Sequence, residues 1–284
     1  MKPDLHARYT TVGHVSVDVL EDGSRQPGGA AFYSALQAAR LGMAARIVTR
    51  GVPREIEQLL EPFAGELELE IERAPHTTTL QTAGSGGERT QRVLAWAGPM
   101  SQELEMEGAI LHLAPIARET PARWRGHSRF VGLTPQGLAR DWSGPEHQIA
   151  LNAPAIETES VADSCHALVV SAHERACCST LIARASAAGA VVAITDGAEP
   201  NTLLLAGESP LSVAVPALEM PGDDLGAGDV FAAAFFVGLV EGRSPSEAVS
   251  FANAAAALRM GGTGAGAIGH RDAVLARMHA AAAS

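Results

Sequence analysis

Seven residues toward the end of the chain, Asp223-Asp224-Leu225-Gly226-Ala227-Gly228-Asp229, run directly into the apolar stretch Val230 to Val240. Gly226, Ala227 and Gly228 have little or no side chain and stand where a helix would begin. The first N–H groups of a helix have no intrahelical acceptor, and the helix dipole adds to their pull on an anion. Asp229 falls in that same first turn. An ordinary helix start with an acidic cap has this appearance too. The chemical reading joins two needs of phosphoryl transfer: an anion hole for the moving group, and a carboxylate to accept the proton of an attacking hydroxyl.

A second glycine site lies near the other end, in Pro27-Gly28-Gly29-Ala30-Ala31-Phe32-Tyr33-Ser34, and its helix is stopped by Gly42. Before it, Gly13-His14-Val15-Ser16-Val17-Asp18 ends an apolar run with a carboxylate. Ligands of open α/β sheets gather at strand ends. A polyhydroxylated ligand needs an acidic acceptor such as Asp18 and main-chain donors such as Gly28 and Gly29. The helical spacing assigns Phe32 to the core and turns Tyr33 toward the site, where its hydroxyl suits a polyol and its ring a nucleobase.

Elements that could position these residues follow from the periodicity. Strands are expected over 9–17, 45–49, 110–114, 130–133, 167–171 and 191–195, and helices over 30–40, 53–60, 174–188, 230–240, 245–260 and 271–280. The strands are apolar throughout, as in parallel sheets covered on both faces. Their alternation with helices implies a doubly wound, mostly parallel α/β sheet flanked by helices. His76 to Ala97 departs from that rhythm: Thr-rich alternation surrounds Gly84-Ser85-Gly86-Gly87, the mark of a hairpin. The expectation is one domain over 1–284 with a small β lid built near 15–28 and 76–98.

Composition narrows the chemistry further. The 284 residues are 46% hydrophobic and 19% charged, which suits one large core without disulfide or zinc support. A net charge of −11 with scattered basic residues argues against a nucleic-acid or anionic-membrane partner. Lys2 is the sole lysine. A Walker loop, a protein-kinase phosphate lysine and a pyridoxal Schiff base each need an internal one. Phosphate recognition is therefore left to main-chain amides, Mg²⁺ and arginine. The opening MKPDLHARYT has no apolar stretch of signal-peptide type, and the run 230–240 is too short to span a bilayer. Cys165, Cys177 and Cys178 form no disulfide framework, so a reduced cytoplasmic setting is expected. Zinc ligation by these cysteines with His166 and His173 lacks the CxxC or HExxH spacing. Gly261 to Gly266 is followed by too little chain for a dinucleotide unit, and no G-x-S-x-G elbow occurs.

Taken together, GGAAFYSALQAARLG and DDLGAGDVFAAAF resemble the two motifs of the ribokinase-like (PfkB) carbohydrate kinases. The hairpin TTTLQTAGSGGERTQRVLAWA resembles that family's lid strands, and Ile194-Thr195-Asp196-Gly197 its nucleotide-contacting strand end. The resemblance implies Asp229 as catalytic base, Gly226, Ala227 and Gly228 as anion hole, and Asp18, Gly28 and Gly29 as acceptor-binding positions. Tyr33 stands where ribokinase proper has asparagine. Glu174, in Ser171-Ala172-His173-Glu174, matches the glutamate that organises Mg²⁺ and phosphate through water, with Ser171 in place of the usual asparagine. Thr195 and Gly197 match phosphate and ribose contacts of ATP, and Asn253 a residue near the adenine. Asp223 matches a position that helps hold a monovalent cation such as K⁺, beside Asp224 where a small or hydroxyl residue is usual. Gly13-His14, Asp18-Val19-Leu20 and Gly28 to Ala31 look like the inositol kinase branch. What this implies is ATP-dependent phosphorylation of a sugar or polyol, for example myo-inositol, by a protein that could pair through its lid as a homodimer. A nucleoside kinase and a non-catalytic ligand-binding protein are the alternatives.

Overall fold

The computed structural model describes residues 8–84, 89–103, 105–121, 123–142, 147–155, 159–218 and 222–282. Strands follow the chain as β1 Arg8–Val12, β2 Ser16–Val19, β3 Arg25–Gly28, β4 Ala44–Gly51, β5 Leu67–Arg73, β6 Thr79–Ala83, β7 Thr90–Ala95, β8 Gly108–Leu113 and β9 Ser128–Leu133. They continue as β10 Arg140–Asp141, β11 Ala150–Leu151, β12 Ala167–Ser171, β13 Val191–Asp196, β14 Glu199–Leu204 and β15 Leu211–Val213. The α-helices are α1 Ala30–Arg40, α2 Pro53–Leu60, α3 Gln136–Ala139, α4 Ser179–Ala187, α5 Ala227–Val240, α6 Pro245–Met260 and α7 Arg271–Ala282.

The main sheet has the order β15-β14-β13-β12-β9-β8-β1-β4-β5. All its pairings are parallel except those of β14 and β15, which close one edge as an antiparallel meander. A four-stranded lid, β3-β2-β6-β7, stands apart from it and is built from the two segments expected. Ser85, Gly86 and Gly87 of the hairpin turn lie outside the described residues, as does Lys2.

Three departures from the expected elements have physical causes. The run 9–17 is two strands, because the chain leaves the main sheet at Gly13, where any side chain would collide with the Ala114 carbonyl. The helix expected from 174 begins at Ser179, since Ser171 and Glu174 first bond each other across a turn. β5 was not foreseen: its glutamates interrupt the apolar pattern. Glu68, Glu70 and Glu72 pair with Arg8, Arg46 and Arg50 of the neighbouring strands, so the acidic alternation is the mark of a charged sheet edge.

α5 is apolar on every side and is buried accordingly, as the central helix of the core. Phe236 fills the space that Gly132 leaves open on β9, and its ring meets His112 edge-on at 4.9 Å. His112 is bonded to the Tyr9 hydroxyl (3.0 Å) and to Thr134 Oγ1 (3.0 Å), and burial pushes its imidazole down to about 3. It is a neutral core histidine. This packing fixes the N-terminus of α5 at the strand ends beneath the lid. Among the described residues no helix is long and apolar enough to cross a membrane.

Candidate active site

Asp18 is carried on lid strand β2 and is buried, with its Oδ1 accepting from the Ser16 hydroxyl (2.8 Å). Burial pushes its carboxyl up to about 6, against the Ser16 hydrogen bond and the charges of Arg140 and Arg89. Its space exists because residue 28 is glycine: a Cβ there would stand inside the carboxylate. Gly29 caps α1 at φ 95°, and a side chain on it would strike the His14 carbonyl. The two glycines therefore let the main chain come up to Asp18.

α5 is entered through Gly226, which adopts the left-handed φ of 78°. Gly228 is exposed, with open space where a Cβ would be. Asp229, one residue further, is part-buried, and its own carbonyl accepts from the Ser34 hydroxyl of α1 (3.0 Å). The helices behind the two glycine motifs are thus tied together at the site. Burial pushes the Asp229 carboxyl up to about 7; Glu174 and Asp18 add to the rise, while Arg140 and Arg89 oppose it. A carboxylate near neutrality is matched to proton abstraction from a hydroxyl.

Two arginines complete this constellation, and sequence reasoning missed both. Arg140, at the start of β10, is buried; its Nη1 donates to the Ile116 carbonyl (2.9 Å) and its Nη2 to Gln91 Oε1 of the lid (2.6 Å). Burial lowers its pKa from the usual arginine value, and Glu174, Asp229, Asp18 and Glu119 pull it back. It borders a cavity of about 430 Å³ with Arg118, Leu138, Asp141 and Asn152. Arg89, at the base of β7, forms an ion pair with Asp224 and faces a cavity of about 520 Å³ between the lid and the loop before α5. Arg140 sits in neither a glycine motif nor a periodic element, and Arg89 lies in the hairpin, whose alternation gave no sign of a charge aimed at the site. The one available signal was indirect: a chain with no internal lysine must meet phosphate with arginine.

On the other side, Ser171 and Thr195 are paired in register at the ends of β12 and β13. Glu174 is buried and uses one oxygen, Oε2, to accept from the Ser171 N–H (3.1 Å) and hydroxyl (2.8 Å). Its Oε1 has no partner among the described residues, and its charge reaches Asp229 and Arg140. Gly197 turns β13 into β14 at φ 58° and is exposed. Cys177 Sγ lies on the Glu174 carbonyl at 3.1 Å, and the cysteines are free thiols.

Residues 158–270, from the approach to β12 to the residue before α7, match the family described as pfkB family carbohydrate kinase. The match covers less than half of the chain, and the fold of the whole is that of the ribokinase-like structures. A curated ribokinase from Arabidopsis thaliana is 42% identical over 62 residues, which is 22% of this chain and 16% of that protein's length. The same fold occurs in a pyrophosphate-dependent kinase of the ribokinase family complexed with a pyrophosphate analog and myo-inositol (TM-score 0.74, 21% identity, 94% of this chain and 99% of that one). It occurs also in Arabidopsis thaliana ribokinase complexed with ribose and ATP (TM-score 0.69, 20% identity, 96% and 99%).

Three of the expected roles look different on this ribokinase-like frame. Tyr33 is 2% exposed; its ring lies under Gly226, where a Cβ would meet it, so it supports the turn before α5 from below and offers no open platform. Asn253 accepts from Asn201 Nδ2 (2.7 Å) and donates to the Ala214 carbonyl (3.1 Å), so its amide is engaged in joining α6 to the meander edge. Asp223 is bonded to a guanidinium, Nη2 of Arg259 (2.6 Å).

Proposed function

We propose that this protein is a carbohydrate kinase that transfers the terminal phosphoryl group of ATP to a hydroxyl of a small neutral polyol, a sugar or a cyclitol such as myo-inositol. The carrying observation is that Asp18 and Asp229, on different elements, are close enough for the charge of one to raise the carboxyl of the other, at the start of α5. Asp18 accepts hydrogen bonds from acceptor hydroxyls, with the main chain at Gly28 and Gly29 alongside. Asp229 takes the proton of the hydroxyl that attacks. The N–H groups of Gly226 and Gly228 hold the oxygens of the transferred group, and that of Ala227, which here donates to the Asp224 carbonyl (3.1 Å), joins them once that turn bond is released. Arg140 and Arg89 offset the charge that two carboxylates and a phosphate bring into one site.

A divalent cation such as Mg²⁺ fits beside Glu174, whose Oε1 is unengaged and which faces the donor strand ends. When bound with the donor phosphates it neutralises their charge. Thr195 and Gly197 lie where the donor would contact β13.

A second reading concerns the donor. The Asn253 amide is engaged within the fold, while the charges of Arg140 and Arg89 both reach Asp229. That charge-rich, base-poor arrangement suits pyrophosphate, the donor class of the similar fold described above. A lid-mediated homodimer belongs to the same proposal.

The experiment is one assay with two donors: ADP or phosphate release from ATP or pyrophosphate against a panel of sugars, cyclitols and nucleosides, with and without chelator. Turnover of a polyol that chelation abolishes supports the reading. Nucleosides reacting much faster than any polyol would reverse the acceptor, and no turnover with any acceptor would favour a ligand-binding protein.

A further inference from the structure

The loop that leads into the anion hole is held by a buried cation belonging to the chain itself. Arg259, on α6, is 0% exposed. Its Nη2 donates to Asp223 Oδ2 (2.6 Å), and its Nη1 to the carbonyl of Asp223 (3.0 Å) and to that of Gly262 (3.4 Å). The guanidinium thereby joins two loops, the one before α5 and the glycine-rich one after α6. Two further N–H groups complete the Asp223 carboxylate, Leu225 on Oδ1 (2.9 Å) and Gly264 on Oδ2 (3.4 Å). Burial alone would raise the Asp223 carboxyl, but these bonds and the Arg259 charge outweigh it and hold it below the ordinary aspartate value.

A carboxylate oxygen and two main-chain carbonyls are the ligands an alkali cation would take, oxygens standing in for its water shell. The family resemblance implies such an ion near Asp223. The residues present do not fit it. Those oxygens already face a fixed positive charge, and a second cation would have to share one carboxylate with it in a buried setting. The Arg259 guanidinium also lies 5.7 Å from the Tyr33 ring centre, and that ring packs under Gly226. Charge, aromatic ring and anion-hole turn form one stack.

We propose that Arg259 is the built-in cation of this site, fixing the Gly226–Gly228 turn so that no monovalent ion is required. Where activity is the readout, this rests on the kinase reading; thermal melting tests it without that reading. The full-length protein would be melted, and assayed on its best acceptor, in potassium, sodium and tetramethylammonium chloride at equal ionic strength. The expected result is the same Tm in all three salts and rates within about twofold, the scale of general ionic effects. Arg259→Met keeps the stem and removes the charge. It should melt lower in tetramethylammonium and be raised by potassium in proportion to ion binding, with turnover following. Arg259→Lys keeps a charge and should stay indifferent to potassium. A wild-type protein that melts higher or turns over faster in potassium than in tetramethylammonium overturns the proposal. So does a folded Arg259→Met that ignores alkali cations. If that variant does not fold, the wild-type comparison decides alone, and if no acceptor is phosphorylated, the melting curves still do.

Discussion

The carboxylate of Asp18 occupies the volume that a side chain on Gly28 would need. The two residues sit on antiparallel strands of the lid, where Ser16 pairs with Gly28 and Asp18 with Gln26. Gly28 therefore leaves the room that the Asp18 carboxylate occupies. Gly28→Ala should leave the fold intact, since it lies on a lid strand, and push the Asp18 carboxylate out of place. Loss of a charged hydrogen-bond acceptor costs about 1.5–3 kcal/mol, so acceptor affinity should fall roughly ten- to hundredfold. Acceptor titration by calorimetry checks this, with Asp18→Ala as the reference. Full affinity in both variants would remove Asp18 from the site.

The second prediction concerns pH. Asp229 acts as a base only when ionised, and its carboxyl stands at about 7. Turnover should therefore rise with pH through neutrality and level off above it. Asp229→Asn should remove about 10²–10⁴ of the rate. Stability runs the opposite way. A carboxyl whose pKa is raised on folding binds its proton more tightly in the native state, so ionising it costs stability as pH rises through the folded value. At about pH 8, Asp229→Asn should melt no lower than the wild type, and its melting curve should depend less on pH. A flat rate profile across neutrality, or a variant that keeps near-normal turnover, would contradict the assignment.

How much of this was legible in the sequence depended on what each residue type announces alone. The helix starts at the glycine pairs 28–29 and 226–228 were legible because glycine followed by an unbroken small or apolar run marks such a start. The parallel strands were legible from their unbroken apolar runs. β5 was hidden because its alternate glutamates pair with arginines on β1 and β4, contacts with no local signal. Arg140 was hidden for a similar reason: its partners Ile116, Gln91 and the site carboxylates are far away in the chain. Tyr33 shows the limit of helical periodicity, since one turn of α1 faces both the core and the loop before α5.

The third prediction tests pairing through the lid. Leu94 on β7 is 56% exposed and Trp96, just after it, 37% exposed. The free edge of β7 is already paired, through Val93 N–H to the His147 carbonyl (3.0 Å) and Ile149 N–H to the Gln91 carbonyl (2.9 Å). Strand addition at the β7 edge is therefore blocked, so pairing through this end of the lid would use the exposed face. Leu94→Glu should shift sedimentation from dimer toward monomer with the fold unchanged. A wild-type protein that sediments as a monomer at all concentrations would end this part of the proposal.

The fourth prediction concerns Arg140. Its guanidinium is held by the Ile116 carbonyl and by Gln91, so it cannot swing away, and its charge falls on Asp18, Asp229 and Glu174 together. Removing it has two separable consequences. The phosphoryl group loses a cation, which should lower kcat/KM by about ten- to hundredfold, the worth of a charge-assisted hydrogen bond. The three carboxylates also lose their shared counter-charge, so the Asp229 carboxyl should rise further above its present value of about 7. Arg140→Gln should therefore move the rising limb of the pH–rate profile to higher pH, as well as lowering its plateau. A purely structural arginine would lower the plateau through loss of folded protein and leave the limb where it was. Gln91→Ala, which frees one end of the same guanidinium and keeps its charge, separates position from charge: the plateau should fall while the limb stays near neutrality. An unmoved limb in Arg140→Gln would show that this guanidinium does not set the base.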